Sequence, residues 1–176
     1  MEWMTPAEAA QELDGAPFLW WITGGWALSL YSETQWREHH DVDVAVFCRD
    51  LVGSVTWLGQ RLELQETLDG WIPGGSGRAC ISRSTKKRVE VFLSPATDDG
   101  WVYRRDPSIC IPWKRALVSR VGIPVLAPEL VLLSKGRSLR GIDWHDARET
   151  VPRLTPEAKD WLFTTLPTGH PWSRFA

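Results

Sequence analysis

The chain has 176 residues, of which 43% are hydrophobic and 24% charged, as in an ordinary globular protein that can bury a real core. The longest apolar run near the N-terminus, residues 18–22, is too short to span a membrane and follows no basic segment. We therefore predict a cytoplasmic protein with no membrane partner. The formal net charge of −2 gives no electrostatic reason to expect nucleic acid as a partner.

The charges are divided unevenly along the chain. Residues 1–70 hold 12 acidic and 3 basic side chains, a balance of −9, whereas residues 71–176 hold 10 acidic and 17 basic, a balance of +7. Such a division would suit a metal–triphosphate site that is approached by a cationic substrate. Two solvated faces of opposite sign would explain it equally well.

Two uncommon residue types are predicted to be mostly buried. Most of the 12 tryptophans are expected to fill the core. Cys48, Cys80 and Cys110 are odd in number and lack CxxC spacing, which argues against a disulfide framework and against a zinc site. We predict buried free thiols.

The first part of the chain alternates between predicted helices and strands. A capping box at residues 5–8, with proline at the first helical position, opens the first helix, and Asp50 can cap another. Apolar runs bounded by turn residues predict strands. In chain order we predict a helix over 6–13, a strand over 18–22, a helix over 26–32, a strand over 41–47, a helix over 50–60, a strand over 62–68, a glycine-rich loop over 71–77 and a hairpin of strands 79–82 and 88–93.

The last part of the chain is predicted to be helical. Residues 101–121 have the pattern of an irregular segment with short extended pieces, and helical patterns resume after Pro124. We predict helices over 127–135, 143–150 and 155–164, then a loosely ordered tail over 167–176. The sum is an α+β fold with a mixed β-sheet flanked by helices over residues 1–125 and a short helical segment over 126–176 packed on it.

Gly24 and Gly25 lie between a predicted buried strand and the next helix. Glycines at such a turn let backbone N–H groups approach an anionic ligand, and the N-terminus of the following helix adds positive potential. Gly-Gly turns are common, so this feature alone is weak evidence for a phosphate site.

Asp41 and Asp43 are two residues apart on a predicted strand, so both carboxylates point to the same side. Two carboxylates on one face of a buried strand repel each other and need a compensating cation. Oxygen ligands with no nearby thiolate select Mg²⁺ or Mn²⁺ over zinc. The alternative, an edge strand whose polar face meets water, is disfavoured by the apolar residues at 44–47.

Glu90 lies in another apolar strand. An isolated acid in a hairpin usually faces solvent. If this strand lies beside residues 41–47, however, Glu90 completes a three-carboxylate site for two metal ions about 3.5–4 Å apart. The residues alone leave both possibilities open.

Together these motifs resemble the signature of the DNA polymerase β-type nucleotidyltransferase superfamily. The similar segments are GGWAL at 24–28 and REHHDVDV at 37–44. Within the superfamily, they most resemble the bacterial aminoglycoside and lincosamide nucleotidyltransferases. Residues 128–135 and 143–146 are similar to the helix–Lys–loop–Asp-x-x-Asp segment of that family, so the resemblance covers about residues 18–166 and implies a nucleotidyltransferase fold.

The resemblance also implies a reaction and its site residues. A substrate hydroxyl would attack the α-phosphate of a nucleoside triphosphate and release pyrophosphate, with metal ions bridging the attacking and leaving oxygens. The implied residues are Asp41, Asp43 and Glu90 as metal ligands and catalytic groups, Gly24, Gly25 and Lys135 as contacts of the triphosphate, and Arg37 as an assisting group.

Three features depart from the family pattern. Glu90 stands where the superfamily more often has Asp, and Trp26 follows Gly25 where a serine would supply a hydroxyl to the phosphate loop. The chain is also short, so part of the acceptor site would be absent or supplied by a second subunit of a homodimer.

Other readings of several residues stay open. Lys135 near a helix C-terminus would also satisfy the helix dipole. His39 and His40 face opposite ways on a strand, and His40 is expected to pack near the site. Asp143 can be interpreted as a helix N-cap and Asp146 as an exposed helix acid.

We predict an enzyme that transfers a nucleoside monophosphate, AMP from ATP, to a hydroxyl of a small molecule. It would use two Mg²⁺ ions, or Mn²⁺, and ATP or another nucleoside triphosphate. An aminoglycoside- or lincosamide-like antibiotic is the leading acceptor by resemblance only. The alternatives are an antitoxin-like nucleotidyltransferase that modifies a protein partner and a non-catalytic nucleotide-binding module. The intact acidic pair argues against the second.

Overall fold

The computed structural model describes residues 2–47, 49–64 and 77–176. Its strands are β1 (Leu19–Ile22), β2 (Asp43–Phe47), β3 (Leu62–Leu64), β4 (Arg78–Ser82), β5 (Arg88–Leu93), β6 (Gly100–Val102), β7 (Cys110–Pro112), β8 (Leu117–Arg120) and β9 (Ile123–Leu126). Its helices are α1 (Pro6–Glu12), α2 (Gly24–Ser32), α3 (Leu51–Arg61), α4 (Trp113–Ala116), α5 (Pro128–Lys135), α6 (Gly141–Thr150) and α7 (Pro156–Thr165), with 3-10 turns over Val151–Arg153 and Pro171–Phe175. No helix in these ranges is long and apolar enough to cross a membrane.

Seven strands form one mixed sheet in the order β3-β4-β5-β2-β1-β9-β8, and β6 pairs separately with β7. Strand β2 runs parallel to β5 and antiparallel to β1, which in turn runs parallel to β9. Strand β2 is therefore central in the sheet, and Val44, Ala45 and Val46 are all buried because both faces of the sheet are covered there. The predicted α+β class with a mixed sheet flanked by helices is confirmed.

Local capping chemistry sets several helix starts where the sequence predicts them. Thr5 and Glu8 form the reciprocal capping box of α1. Asp50 accepts a hydrogen bond from the backbone N–H of Gly53 at 2.9 Å and so caps α3. Helix α2 begins at Gly24, two residues before the predicted start, because the glycine pair belongs to the first helical turn rather than to the preceding loop.

The stretch around Pro124 differs from the prediction. Strands β8 and β9 form a hairpin through Val121 and Gly122, whose φ angles of 46° and 79° make a tight left-handed turn. The helix predicted over 127–135 forms as α5, but Pro124 lies inside β9 and pairs with Ser119. Strands β6 and β7 and the short α4 also form in the segment that was predicted to be irregular.

Two further predictions about this fold are wrong. The tail over 167–176 is ordered, since Trp172 is fully buried and His170 Nε2 lies 2.8 Å from the carbonyl oxygen of Gly136. Burial of the indole ring supplies the driving force that the sparse local pattern hides. Cys110 is exposed, because β7 turns only Ile111 inward, whereas Cys80 is buried as predicted.

The predictions for Cys48, for the end of the strand over 62–68 and for the loop over 71–76 lie outside the described residues. The tryptophans of the described ranges mostly lie in the core or pack against it, as predicted.

Replacing Trp172 by alanine is expected to lower the free energy of unfolding by about 3–5 kcal/mol, because a fully buried indole leaves a cavity. Urea unfolding followed by circular dichroism measures the change. The matched control is Val52→Ala, whose side chain is 60% exposed and which should cost less than about 0.5 kcal/mol. Equal effects of the two substitutions would contradict an ordered tail.

Candidate active site

Asp41, Asp43 and Glu90 come together beside the central strands. Asp43 begins β2 and lies opposite Glu90 of β5 in the parallel register, and Asp41 precedes β2. One carboxylate oxygen from each of the three residues lies within 4.8 Å of the other two. The strand that carries Glu90 is thus adjacent to the strand of Asp43, so the condition on which the three-carboxylate prediction depended is met. Asp41 itself lies just before the strand and is exposed, not on it as the sequence predicted.

Burial and neighbouring negative charge raise the pKa of two of the three carboxylates. Burial, followed by the negative charges of Asp41 and Glu90, raises the pKa of Asp43 to about 7. Burial and the charge of Asp41 also raise the pKa of Glu90. A half-buried site with this excess of negative charge and oxygen ligands alone fits a hard divalent cation such as Mg²⁺ or Mn²⁺.

The glycine turn packs directly against this acidic group. Gly24 has a φ of 65°, and a Cβ atom at this position would overlap the Oδ2 atom of Asp43. A Cβ atom on Gly25 would instead overlap the guanidinium of Arg37 and the ring of His39. The N–H of Thr23 donates to the carbonyl oxygen of Asp43 at 2.9 Å, which ties the turn to β2. Close approach therefore requires glycine at both positions.

Gly77, which the sequence reading did not single out, has the same relation to Glu90. A Cβ atom at Gly77 would lie 2.6 Å from the Cγ atom of Glu90 and as close to the ring of Phe92. Glycine immediately before β4 thus makes room for the third carboxylate. The glycine-rich composition of residues 70–77 was the available signal, but its partner on another strand could not be identified from it.

A chain of ion pairs lies next to the turn. It joins the basic residues Arg37, Lys135 and Arg140 to the acidic residues Asp143 and Asp146. The guanidinium of Arg37 donates to both oxygens of Asp146, at 2.8 and 3.1 Å. The ammonium of Lys135 lies 3.2 Å from Asp143 Oδ1 and 3.0 Å from Asp146 Oδ2, so it bridges the two acids.

The burial of Asp143 and Asp146 and the position of Asp143 in its helix differ from the prediction. Asp143 and Asp146 have side chains with no exposed surface, so neither is a solvent-facing helix acid, and Asp143 lies inside α6 rather than at its N-cap. Burial acts to raise the pKa of Asp143, but hydrogen bonds and charges from Arg140 and Lys135 outweigh it and lower the pKa to about 2. The pKa of Asp146 is lowered as well, because Arg37 and Lys135 outweigh its burial.

The two histidines do not take the positions that were predicted for them. His40 is exposed, whereas His39 is partly buried, stacks on Trp26 at 4.5 Å between ring centroids and has its Nε2 atom 2.8 Å from the hydroxyl oxygen of Ser29. Burial and the charge of Arg37 lower the pKa of His39 to about 4. His39 is therefore a neutral packing group behind the glycine turn.

A cleft of about 640 Å³ opens beside the carboxylates. Of the predicted site residues, Gly24, Asp43, Glu90 and Lys135 line it. Gly25 and Arg37 lie behind the lining, where they contact each other. The lining also includes Arg104, Arg105 and Arg140, which the sequence analysis did not single out. Arg104 and Arg105 lie in the segment that was predicted to be irregular.

A second cleft of about 700 Å³ lies at the other end of β1 and β2, lined by aromatic residues that include Phe18, Phe47, Trp57 and Trp113. None of the predicted site residues borders it. Although it is slightly larger, we place the chemistry at the first cleft, because that is where the carboxylates and the cationic side chains meet.

Comparison with known proteins agrees with this geometry. Residues 7–51, which include the glycine turn and both aspartates, match the family model described as aminoglycoside-2''-adenylyltransferase. The search of curated proteins returned no match. Among solved structures, similarity is found to the antibiotic-resistance factor ANT(2'')-Ia in solution, with 16% identity, a TM-score of 0.56 and coverage of 89% of this chain and 84% of that chain.

A crystal structure of ANT(2'')-Ia in complex with adenylyl-2''-tobramycin is 17% identical, with a TM-score of 0.55 and coverage of 97% and 95%. The lincosamide antibiotic adenylyltransferase LnuA, in its lincomycin-bound crystal structure, is 17% identical, with a TM-score of 0.56 and coverage of 82% and 92%. The chain has the nucleotidyltransferase fold. These findings support the predicted aminoglycoside and lincosamide branch of the nucleotidyltransferases and, with it, an enzyme of that class.

Gly24→Ala is expected to weaken Mn²⁺ binding by the protein at least tenfold, because the added methyl group collides with the Asp43 carboxylate at a left-handed φ. Electron paramagnetic resonance of free Mn²⁺ measures the affinity. Gly141→Ala is the matched control, since its Cβ atom would meet no atom within 4 Å and its backbone is helical. A Gly24→Ala protein that binds Mn²⁺ like the control would contradict the packing of the turn on Asp43.

The metal-free protein is expected to lose stability as the pH rises from about 4 to 7. Asp43 has a higher pKa when folded, about 7 against an ordinary value of 3.8, so the folded state holds an extra proton in this window and releases it only at a cost. Relative to Asp43→Asn, the wild-type free energy of unfolding should fall by roughly 2–4 kcal/mol across the window. Urea titrations in EDTA at several pH values measure it, and parallel pH curves for the two proteins would contradict the raised pKa.

Proposed function

We propose that this chain is a divalent-metal-dependent adenylyltransferase that moves AMP from ATP to a hydroxyl group of a small-molecule antibiotic. The observation that carries the proposal is the cluster of Asp41, Asp43 and Glu90, with oxygens within 4.8 Å of one another, together with the cleft that Asp43 and Glu90 line beside Lys135 and Arg140. A carboxylate cluster facing cationic side chains suits a metal-bound polyphosphate better than it suits a neutral ligand.

Different residues would bind the metal, the triphosphate and its oxygen atoms. Asp41, Asp43 and Glu90 would hold Mg²⁺, which when bound supplies charge neutralisation for the phosphates. Gly24 and the start of α2 would receive the triphosphate, because a side chain there would block both the phosphates and Asp43. Lys135 and Arg140, which line the same cleft, would bind the phosphate oxygens.

The transfer itself forms one bond and breaks one. The acceptor hydroxyl oxygen bonds to the α-phosphorus, the bond between that phosphorus and the bridging oxygen breaks, and pyrophosphate leaves. We assign Glu90 to receive the hydroxyl proton, because its raised pKa makes it a better base than an ordinary surface carboxylate. Two metal ions are proposed, since three carboxylates provide more ligand atoms than one Mg²⁺ usually takes from protein.

The acceptor class rests on the comparisons. The matched family model is described by aminoglycoside adenylylation, and the two similar enzymes carry adenylyl-2''-tobramycin and lincomycin in their structures. A cationic aminoglycoside would also suit the excess of acidic residues in the first 70 positions. We further propose that residues 1–125 form the catalytic part and residues 126–176 a helical segment that contributes Lys135, although the boundary falls within β9.

The decisive experiment is mass spectrometry of a reaction that contains the protein, Mg²⁺, all four nucleoside triphosphates and a pooled panel of aminoglycosides and lincosamides. We expect a nucleotide-mass adduct on a panel member. The Asp41→Asn/Asp43→Asn protein should form about a thousandfold less, equivalent to about 4 kcal/mol of transition-state stabilisation. Asp160→Asn, an exposed acid on α7, is the control that should retain full activity.

The outcomes separate the parts of the proposal. An adduct that is equally abundant with the double variant would overturn the role of the carboxylates. Binding of ATP without any adduct would overturn the antibiotic as acceptor and would direct the search to a protein substrate. Absence of Mg²⁺-dependent nucleotide binding would overturn the proposed function as a whole.

A further inference from the structure

Helix α6 carries two acidic side chains that are completely buried, yet each faces cationic groups that reach toward the cleft. Asp143 and Asp146 are three residues apart, so they lie on the same face of the helix. Arg140 donates from Nε and Nη2 to the two oxygens of Asp143, at 2.9 and 3.1 Å. Ser138 donates from its hydroxyl to Asp143 at 3.0 Å. Asp143 therefore has every oxygen engaged.

The contacts of Asp146 reach the glycine turn. Besides Lys135, it accepts two hydrogen bonds from Arg37 and one from the indole N–H of Trp36 at 3.2 Å. The guanidinium of Arg37 in turn occupies the space where Gly25 would carry a Cβ atom. One buried carboxylate thus touches both the group that packs under the turn and the lysine that lines the cleft.

The side chains of the three cations are partly exposed to solvent, whereas those of the two acids are fully buried. The side chains of Arg37, Lys135 and Arg140 are 17%, 12% and 66% exposed, against 0% for both aspartates. Three cations against two acids leave the group with one net positive charge. Lys135 and Arg140 line the cleft that contains Asp43. Cationic donors that are fixed before a ligand arrives need no reorganisation when it binds.

We propose that Asp143 and Asp146 are positioning residues that hold Lys135 and Arg140 at the cleft and, through Arg37, fix the Gly24-Gly25 turn for binding of a nucleoside triphosphate. This rests on the proposed function, because the anion they prepare for is the triphosphate. A purely structural role is the competing explanation. Apolar residues of similar volume could stabilise such a core as well as a buried ion-pair network does, so the charges call for another reason.

The test compares full-length wild type, Asp146→Asn and the exposed control Asp160→Asn. Calorimetry measures the affinity for a non-hydrolysable ATP analogue in the presence of Mg²⁺, and electron paramagnetic resonance measures Mn²⁺ binding without nucleotide. We expect Asp146→Asn to weaken analogue binding at least tenfold while Mn²⁺ affinity stays within twofold of wild type. In turnover assays KM for ATP should rise by more than kcat falls. The control should match wild type throughout.

A second variant covers the possibility that Asp146→Asn does not fold. Trp36→Phe keeps an aromatic ring but removes the indole hydrogen bond to Asp146, and Trp36 is neither a cation of the network nor a residue that lines the cleft. We expect it to weaken analogue binding about threefold and to leave Mn²⁺ binding unchanged. Unchanged analogue affinity in this variant would overturn the proposal.

The remaining outcomes are distinct. If the folded Asp146→Asn protein binds the analogue as tightly as wild type, the positioning role is wrong and the proposed function stands. If analogue and Mn²⁺ affinities fall together, the acids serve general stability and the positioning role is again wrong. If wild type binds Mn²⁺ but not the analogue, both the positioning role and the proposed function fail.

Discussion

The parallel pairing of β2 with β5 determines where the chemistry of this protein can occur. It places Asp43 opposite Glu90, and the chain that enters β2 brings Asp41 to the same point. Burial raises the pKa of Asp43 and of Glu90, and neighbouring negative charges raise both further. Gly24 and Gly77 are explained by the same constraint, since each leaves room for a carboxylate that a side chain would displace.

Positive charge in the lining of the cleft comes from elements that are distant in sequence from the acidic cluster. Lys135 ends α5, Arg140 precedes α6, and the residues that hold them are the two acids of α6. The C-terminal helices therefore contribute more than a cover for the sheet, because they set the charge pattern that faces the acidic cluster. The loop after β6 is also held at the end of α5, because Arg105 donates to the carbonyl oxygen of Ser134 at 2.7 Å.

The parts of the fold and of the site that could be predicted are those set by contacts between residues close in sequence. Asp41, Asp43 and the glycine pair lie within 20 positions, so their spacing on a strand and at a helix start indicated a site directly. Glu90 could be assigned only on condition that its strand lay beside β2, because strand order is a long-range property. Asp146 was misread because it lies buried beside Arg37, more than 100 positions away. Asp143 was misread because α6 begins two residues earlier than predicted, at Gly141. The β8–β9 hairpin was missed because the pairing of Pro124 with Ser119 is tertiary information.

The opposite shifts of Asp43 and Asp143 have a consequence for how the cleft exchanges ions with its surroundings. Asp143 keeps its charge down to a pH near 2, whereas Asp43 holds a proton up to a pH near 7. Near neutrality, therefore, a divalent cation that enters the acidic cluster has to displace a proton into the buffer, and the ion-pair network does not take it up. Calorimetric heats of cation binding should then vary with the ionisation enthalpy of the buffer, and the protein would act as a small proton source whenever its metal occupancy rises.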